Sequence, residues 1–346
     1  MHSLQKTTIV ELPRWRALLG MVAFGGAVLL AGAQPAQPVQ PGPASSGPRL
    51  FDPRQYGNEG DLGGSLVQTE GSGIIDEDAV KTAREIASHS TGTPEWTNPV
   101  GFEKDVFTFA RAIFKAVPTT SPVPRFHFGR RIGWWVDFPD ADLNMSYRLQ
   151  QMTSTRVNPD GRVLKLNDPD LHNYPFLFME HPGYMQLRDP EIAGLRKYLL
   201  AGGVLAIIDF WNATEWTGFA KQMTKVLPER QWIDLSMDHP IFNSVFKLRG
   251  PMQRLQVPTM QFWDRRHNPD DASSPPIQIN RGEGSEKMSV RALYDDQGRI
   301  MVIAFHNTDI SDGWEREGEN ADYFATFSER ISYPIGVNLI FYLMTH

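Results

Sequence analysis

The chain has 346 residues, 41% of them apolar, with nine Trp and 20 Phe, enough to bury a large core by packing alone. It contains no cysteine, which excludes disulfides, thiolate metal sites, thiol catalysis and lipoprotein attachment. A net charge of −6 argues against nucleic acid as the main partner.

The amino end carries Lys6, Arg14 and Arg16, then an apolar stretch from Ala17 to Leu30, then Ala31-Gly-Ala33. Charge, apolar segment and small residues in that order form a secretory signal, and cleavage after Ala33 is expected. Gly20, Gly25 and Gly26 interrupt the stretch, which falls short of the roughly 20 apolar residues of a bilayer span. Left uncut, the same segment is an amino-terminal anchor holding the domain at the membrane surface. The expected location is therefore outside the cytoplasm, in the periplasm. Removing residues 1–33 takes away three of the 34 basic residues and one of the 40 acidic ones, leaving a net charge near −8.

Residues 34–49 are too rich in Pro and too poor in large apolar groups to fold, and glycines at 57, 60, 63, 64, 71 and 73 keep the chain irregular. Residues 34–75 thus form a tether. A short helical lead-in over 76–103 follows, with its helix at Asp76 to Ser88, and the organised domain is 104–346. There Val106 to Ala116 reads as a strand, Ile132 to Val136 as a shorter one, and Ala141 to Met152 as a helix. The turn Asn158-Pro-Asp-Gly161 opens a strand from Arg162 to Leu166.

The clearest unit runs from Tyr174 to Leu227. Pro175 to Met179 is an apolar run of strand length, and Asp189-Pro190-Glu191 starts a helix whose stripe is Ile192, Leu195, Tyr198 and Leu199. Gly202-Gly203 ends that helix, Val204 to Ile208 is a second strand, and a helix from Thr214 to Leu227 follows. Two strands with a helical crossover form a parallel, right-handed unit. Val290 to Tyr294 and Arg299 to Phe305 flank a turn and read as a hairpin, and Pro334 to Met344 as a closing helix. The fold class is α/β: a doubly wound, mostly parallel sheet with an antiparallel hairpin at its edge.

In such a sheet ligands bind beyond the carboxyl ends of the strands. The first strand of the unit delivers Glu180 and His181 there, and the second delivers Asp209, Trp211 and Asn212. The strand ending at Phe305 adds His306 to Asp309 only if it runs parallel to the others. Asp209 with Glu180 or His181 would form an acid and base pair; otherwise Asp209 caps the next helix and His181 bonds within a loop. His181, Asp209, Asp238, His239 and His306 have ligand chemistry but no diagnostic metal spacing. Asp137, Asp140 and Asp142 have the charge for a hard cation, yet a solvated loop and helix start explains them more simply. Trp134, Trp135, Phe210, Trp211 and Trp216 suit a core better than a sugar-stacking surface. There is no G-x-S-x-G elbow, phosphate loop or dinucleotide fingerprint, and no cofactor is named by these residues.

Three stretches together carry a family resemblance: Tyr174 to Trp216, the run WWVDFPDADLN from Trp134 to Asn144, and DHPIF from Asp238 to Phe242. Over about residues 104–346 the chain resembles the bacterial family called domain of unknown function 4159. That family is similar in fold to class I glutamine amidotransferases and to ThuA-like proteins, which implies a flavodoxin-like sandwich. The amidotransferases place a cysteine on the turn after a central strand, where this chain has Asp209, so thioester chemistry is closed to it. Three functions stay open. The chain binds a small molecule or an envelope protein without thiol catalysis; it is a hydrolase of carbohydrate or envelope material working through Asp209 with Glu180 or His181; or it is a structural subunit of a membrane-associated complex.

Overall fold

A computed structural model describes residues 60–346, apart from 64, 70–72, 89, 103–104, 117–132, 269–270, 272, 274–276 and 278–280. The expected signal segment, the Pro-rich run 34–49 and Ile132 lie outside the described residues.

Strands β1 (Gly60–Gly63), β2 (Leu66–Thr69) and β3 (Gly73–Asp76) form a small antiparallel sheet. The glycine-rich stretch is therefore extended and paired rather than irregular. Its residues alternate as one half-covered sheet requires: Val67 and Ile75 are buried while Leu66 and Ile74 are exposed. The expected helix from Asp76 to Ser88 is absent; Glu77 to Ala79 make a turn, and Ala83–Glu85 a single 3-10 segment. The backbone there has other partners, because the Lys81 carbonyl accepts from the Val163 N–H (2.8 Å) and the Asp160 carbonyl from the Arg84 N–H (3.2 Å).

The main sheet has seven strands: β4 (Ala110–Ile113), β5 (Arg162–Lys165), β6 (Phe176–Glu180), β7 (Val204–Ile208), β8 (Ile233–Asp234), β9 (Ser289–Tyr294) and β10 (Ile300–His306). Their order is β5-β4-β6-β7-β10-β9-β8. β5, β4, β6, β7 and β10 are mutually parallel, and β9 runs against both β10 and β8. The mostly parallel α/β sheet with its antiparallel hairpin is the expected class. The run from Val106 to Ala116 pairs as a strand only over β4, with single bridges from Phe107 to Val157 and from Ala116 to Met185.

The helices are α1 (Asp140–Met152), α2 (Asp189–Leu200), α3 (Asn212–Val226), the short α4 (Asp312–Glu315) and α5 (Ala321–Tyr323), and α6 (Tyr333–Thr345), which continues a π-helical stretch Phe324–Ser332. Arg188, not Asp189, flanks the start of α2; its N–H donates to Glu191 at 2.8 Å, with Asp189 already in the first turn. No helix among the described residues is long and apolar enough to cross a membrane.

Alternation along the strands divides the core into two layers. Leu177, Met179, Leu205, Ile207, Val302 and Ala304 pack with Leu195, Leu199, Phe219 and Met223 of α2 and α3. Phe176, Phe178, Ala206, Ile208, Ile303 and Phe305 pack with Met145, Leu149, Trp314, Val337 and Leu339 on the opposite face. Because both faces are covered, β7 is apolar throughout, and β6 and β10 are apolar up to their last residues. The chain passes from β4 to β5 on one side, then crosses to β6 and on to β7 and β10 on the other. The topological switch thus lies between β4 and β6.

The expected strand at Ile132 to Val136 is not formed, since the described residues 133–139 are turns. Arg111 on β4 explains this: its Nη1 donates to the carbonyls of Trp134 and Val136, both at 2.8 Å, and winds the segment around the guanidinium.

Candidate functional site

The parallel strands turn abruptly at their carboxyl ends. His181 after β6, Asp209 after β7 and Asn307 after β10 have φ between 50° and 61°, and Asp137 and Asn212 are likewise left-handed at 57° and 63°. Left-handed backbone costs a non-glycine residue about 1–2 kcal/mol, so five such residues at one edge mark a segment held in place by its surroundings. β10 is parallel to β7, and Asn307 to Asp309 therefore join Glu180 and Asp209 on that edge.

At the switch point Arg111 is fully buried. Its Nε donates to both oxygens of Asp142 on α1 (3.1 and 2.8 Å), and Nη1 lies 2.8 Å from Glu180 Oε2. The planar cation lies over the rings of Phe178 and Phe138, at 5.0 and 5.5 Å. Burial works against its charge, but Asp142 and Glu180 outweigh it and push the pKa up.

Six carboxyl groups gather at this edge: Asp137, Glu180, Asp209, Asp309, Asp312 and Glu315. Burial pushes Glu180 up to about 7 against the pull of Arg111, with the charge of Asp209 adding to the rise. Asp312, on α4, is likewise lifted by burial to about 7, opposed by Arg316 and reinforced by Glu315. Asp137 and Asp309 are held well above the ordinary carboxylate range, first by burial and then by their neighbours: Glu180 and Glu315 at Asp137, Asp209 and Asp312 at Asp309. The loop before β9 is stapled to this edge, since Thr259 Oγ1 donates to Asp309 (2.6 Å) and the Met260 N–H to Asp312 (2.7 Å). Carboxylate oxygens of Asp137, Asp312 and Glu315 lie within 4.8 Å of one another, and so do those of Asp137, Glu180 and Asp309.

Asp209 occupies the strand-to-helix turn and is buried, but it does not cap α3. Its Oδ1 accepts from Trp211 Nε1 (2.7 Å) and lies 3.5 Å from Arg281 Nη1. Asn212 does the capping, its Oδ1 accepting from the N–H groups of Thr214 (2.9 Å) and Glu215 (3.1 Å). The guanidinium of Arg281 lies 4.9 Å above the Trp211 ring, and Arg281 Nη1 also donates to Thr259 Oγ1 at 3.0 Å. Trp211 is buried, like Trp134, Trp135 and Phe210, so these aromatics are core as expected.

His181 is buried at the end of β6, with its N–H donated to the Ile208 carbonyl (3.1 Å). His306 reaches the same edge. Its ring packs on Phe210 (4.9 Å) and Trp216 (5.4 Å), its Nε2 donates to the Asn212 carbonyl (3.0 Å), and burial pushes it down to about 4. Asp238 and His239 are not brought to this cluster. Asp238 is exposed, and His239 Nε2 lies 3.2 Å from the Tyr294 hydroxyl at the far end of the hairpin, where β10 begins. The expectation of a solvated Asp137–Asp142 segment is also corrected. Asp140 is buried and accepts from Ser88 and Ser90, and Asp142 is buried against Arg111. Sequence reasoning passed over Arg111, Arg281, Asp312 and Glu315. Three of them carry a signal: Arg111 interrupts an apolar strand, and Asp312 and Glu315 continue from Asp309 an acidic residue at every third position after another strand.

Residues 126–344 match the family model described as Domain of unknown function (DUF4159). The chain belongs to that family. No curated protein matches it. The DUF4159 region contains Asp137, Glu180, Asp209, Arg281, Asp309, Asp312 and Glu315, whereas Arg111 precedes it. The site is therefore completed from β4, outside the matched span.

Proposed function

We propose that this DUF4159 protein is an exported, amidotransferase-like and ThuA-like α/β domain of flavodoxin type whose carboxyl sheet edge binds a small polar ligand or an envelope partner through carboxylates. The observation that carries this is Asp209: buried, left-handed, on the turn from a central strand into a helix, and aligned by Trp211 and Arg281. In the amidotransferases that turn carries a cysteine. An aspartate there accepts hydrogen bonds from hydroxyl or ammonium groups but forms no thioester. Ammonium-bearing or hydroxyl-rich ligands match this chemistry.

A hydrolase is the second reading, and one observation favours it. Glu180, pushed up to about 7, carries a proton near neutrality, and the charge of Asp209 contributes to that rise. A carboxyl that holds its proton near neutrality can serve as a general acid, and Asp209 is a second carboxyl at the same sheet edge.

Thermal-shift and turnover assays of the purified chain against a panel of amino sugars, envelope glycans, peptides and esters distinguish the two. A ligand that raises Tm for the wild type but not for Asp209→Asn, without being consumed, supports binding. Turnover abolished by Asp209→Asn supports the hydrolase. A panel that neither binds nor reacts, or a response identical in Asp209→Asn, rejects Asp209 as the centre of the site.

A further inference from the structure

The carboxylates on the Asp137 side of the edge form two triplets that share a member. Asp137 with Asp312 and Glu315, and Asp137 with Glu180 and Asp309, each bring oxygens within 4.8 Å of one another. The arginines engage only the flanks of this cluster. Arg111 Nη1 lies 2.8 Å from Glu180 Oε2, and Arg316 Nε lies 2.6 Å from Glu315 and 3.4 Å from Asp312. Oxygens between the flanks are left over. Glu180 is 0% exposed and its Oε1 meets no donor at hydrogen-bonding angle, nor does the buried Asp137 Oδ2, whose carboxyl faces that of Glu180. A buried carboxylate oxygen without a donor is costly, and a cation is the natural partner for one that faces other carboxylates.

Spacing admits a shared cation, and ligand chemistry selects its kind. Two oxygens on one ion are separated by at most twice the metal–oxygen distance, about 4.2 Å for Mg²⁺ and about 4.6–5.2 Å for Ca²⁺. The oxygens of each triplet lie within 4.8 Å of one another, within reach of Ca²⁺ and a small side-chain rotation from Mn²⁺ or Mg²⁺. Their ligands are oxygen alone, which selects hard cations such as Mn²⁺, Ca²⁺ or Mg²⁺ over zinc or copper. A carboxylate common to two adjacent triplets is the bridging element of a two-cation centre, whose ions sit about 3.5–4 Å apart.

We propose that Asp137 bridges two hard divalent cations, one held with Glu180 and Asp309 and the other with Asp312 and Glu315. The centre adjoins the ligand site proposed at Asp209, but it does not depend on that residue binding anything.

Mn²⁺ is the probe, because two manganese ions at this separation couple magnetically. The purified chain, stripped with chelator and dialysed, is titrated with Mn²⁺ and followed by equilibrium binding and low-temperature electron paramagnetic resonance. Two ions per chain with an exchange-coupled spectrum are expected. Asp137→Asn abolishes the coupled signal and weakens binding by at least about tenfold, a loss of ligation measured against ordinary metal-site effects. Asp309→Asn and Glu315→Gln each leave one uncoupled ion, and they carry the test if Asp137→Asn does not fold by circular dichroism. No Mn²⁺ bound at about 1 mM, a single ion in the wild type, or a coupled pair that survives both of these variants overturns the proposal. Ligand binding at Asp209 without Mn²⁺ overturns this inference alone, and Mn²⁺ binding without a ligand overturns only the other.

Discussion

Arg111 is a charge with no access to water, compensated by Asp142 and Glu180 and by two backbone carbonyls. Removing one partner of such a group leaves the others buried and unpaired, at a cost of about 3–5 kcal/mol. Arg111→Met is expected to lose that much in urea unfolding. Arg111→Lys recovers little, since an ammonium cannot reproduce the fork on Asp142. The raised carboxyls add a pH dependence. Glu180 and Asp312 titrate near 7 in the fold, above their ordinary values of 4.5 and 3.8. The unfolded chain therefore releases these protons first as pH rises, and the native state holds more of them. Their contribution to stability is complete below the ordinary carboxylate range, declines as pH rises toward 7, and is lost above it. In chelator-treated protein, unfolding free energy should be higher at pH 5 than at pH 7.5; the opposite slope would contradict the burial of these groups.

Among the elements, α3 fixes the loop that follows β6. A Cβ on Gly218 would meet the Gly183 carbonyl at 2.5 Å, and one on Gly183 would meet Glu215 Cβ at 2.5 Å. Backbone pressed on backbone leaves no flexible side chain to yield. Gly218→Ala is expected to cost about 1–3 kcal/mol by overpacking and to displace the loop behind His181. Thermal denaturation gives the first effect, and nuclear magnetic resonance shifts of His181 the second. The same region explains how well elements are read from sequence. From β6 to α3 the apolar runs, the Asp189-Pro190 start and the Gly202-Gly203 stop all agree, and the helices and strands form where expected. Residues 76–88 and 133–136 depart from the local pattern because their backbone groups are taken by distant partners. Val163 holds the Lys81 carbonyl, and the Arg111 side chain holds those of Trp134 and Val136.

For the molecule as a whole, the amino-terminal segment makes its own prediction. Expressed in a bacterial host, the chain should be recovered from the periplasm with Gln34 as its first residue, by intact mass. Full-length protein in the membrane fraction would favour the anchor instead. Strand order is what assembles the site at this scale. Because β10 lies parallel beside β7, Asp309 joins Glu180 and Asp209, while the short α4 that follows brings Asp312 and Glu315 toward Asp137. Asp238 and His239, equally plausible as ligands, end at the opposite edge with Tyr294.

By itself the sequence determined the α/β class, because short apolar runs alternating with amphipathic helices are local patterns. It also determined the absence of thiol chemistry, because that needs only a count, and the position of Asp209 and Glu180 at strand ends. Only the tertiary structure decided which strand ends meet and which carboxylates are buried. The solvation of Asp137, Asp140 and Asp142 depends on Arg111, Ser88 and Ser90, all distant in sequence, and a local stretch of aspartates looks the same whether water or a guanidinium surrounds it.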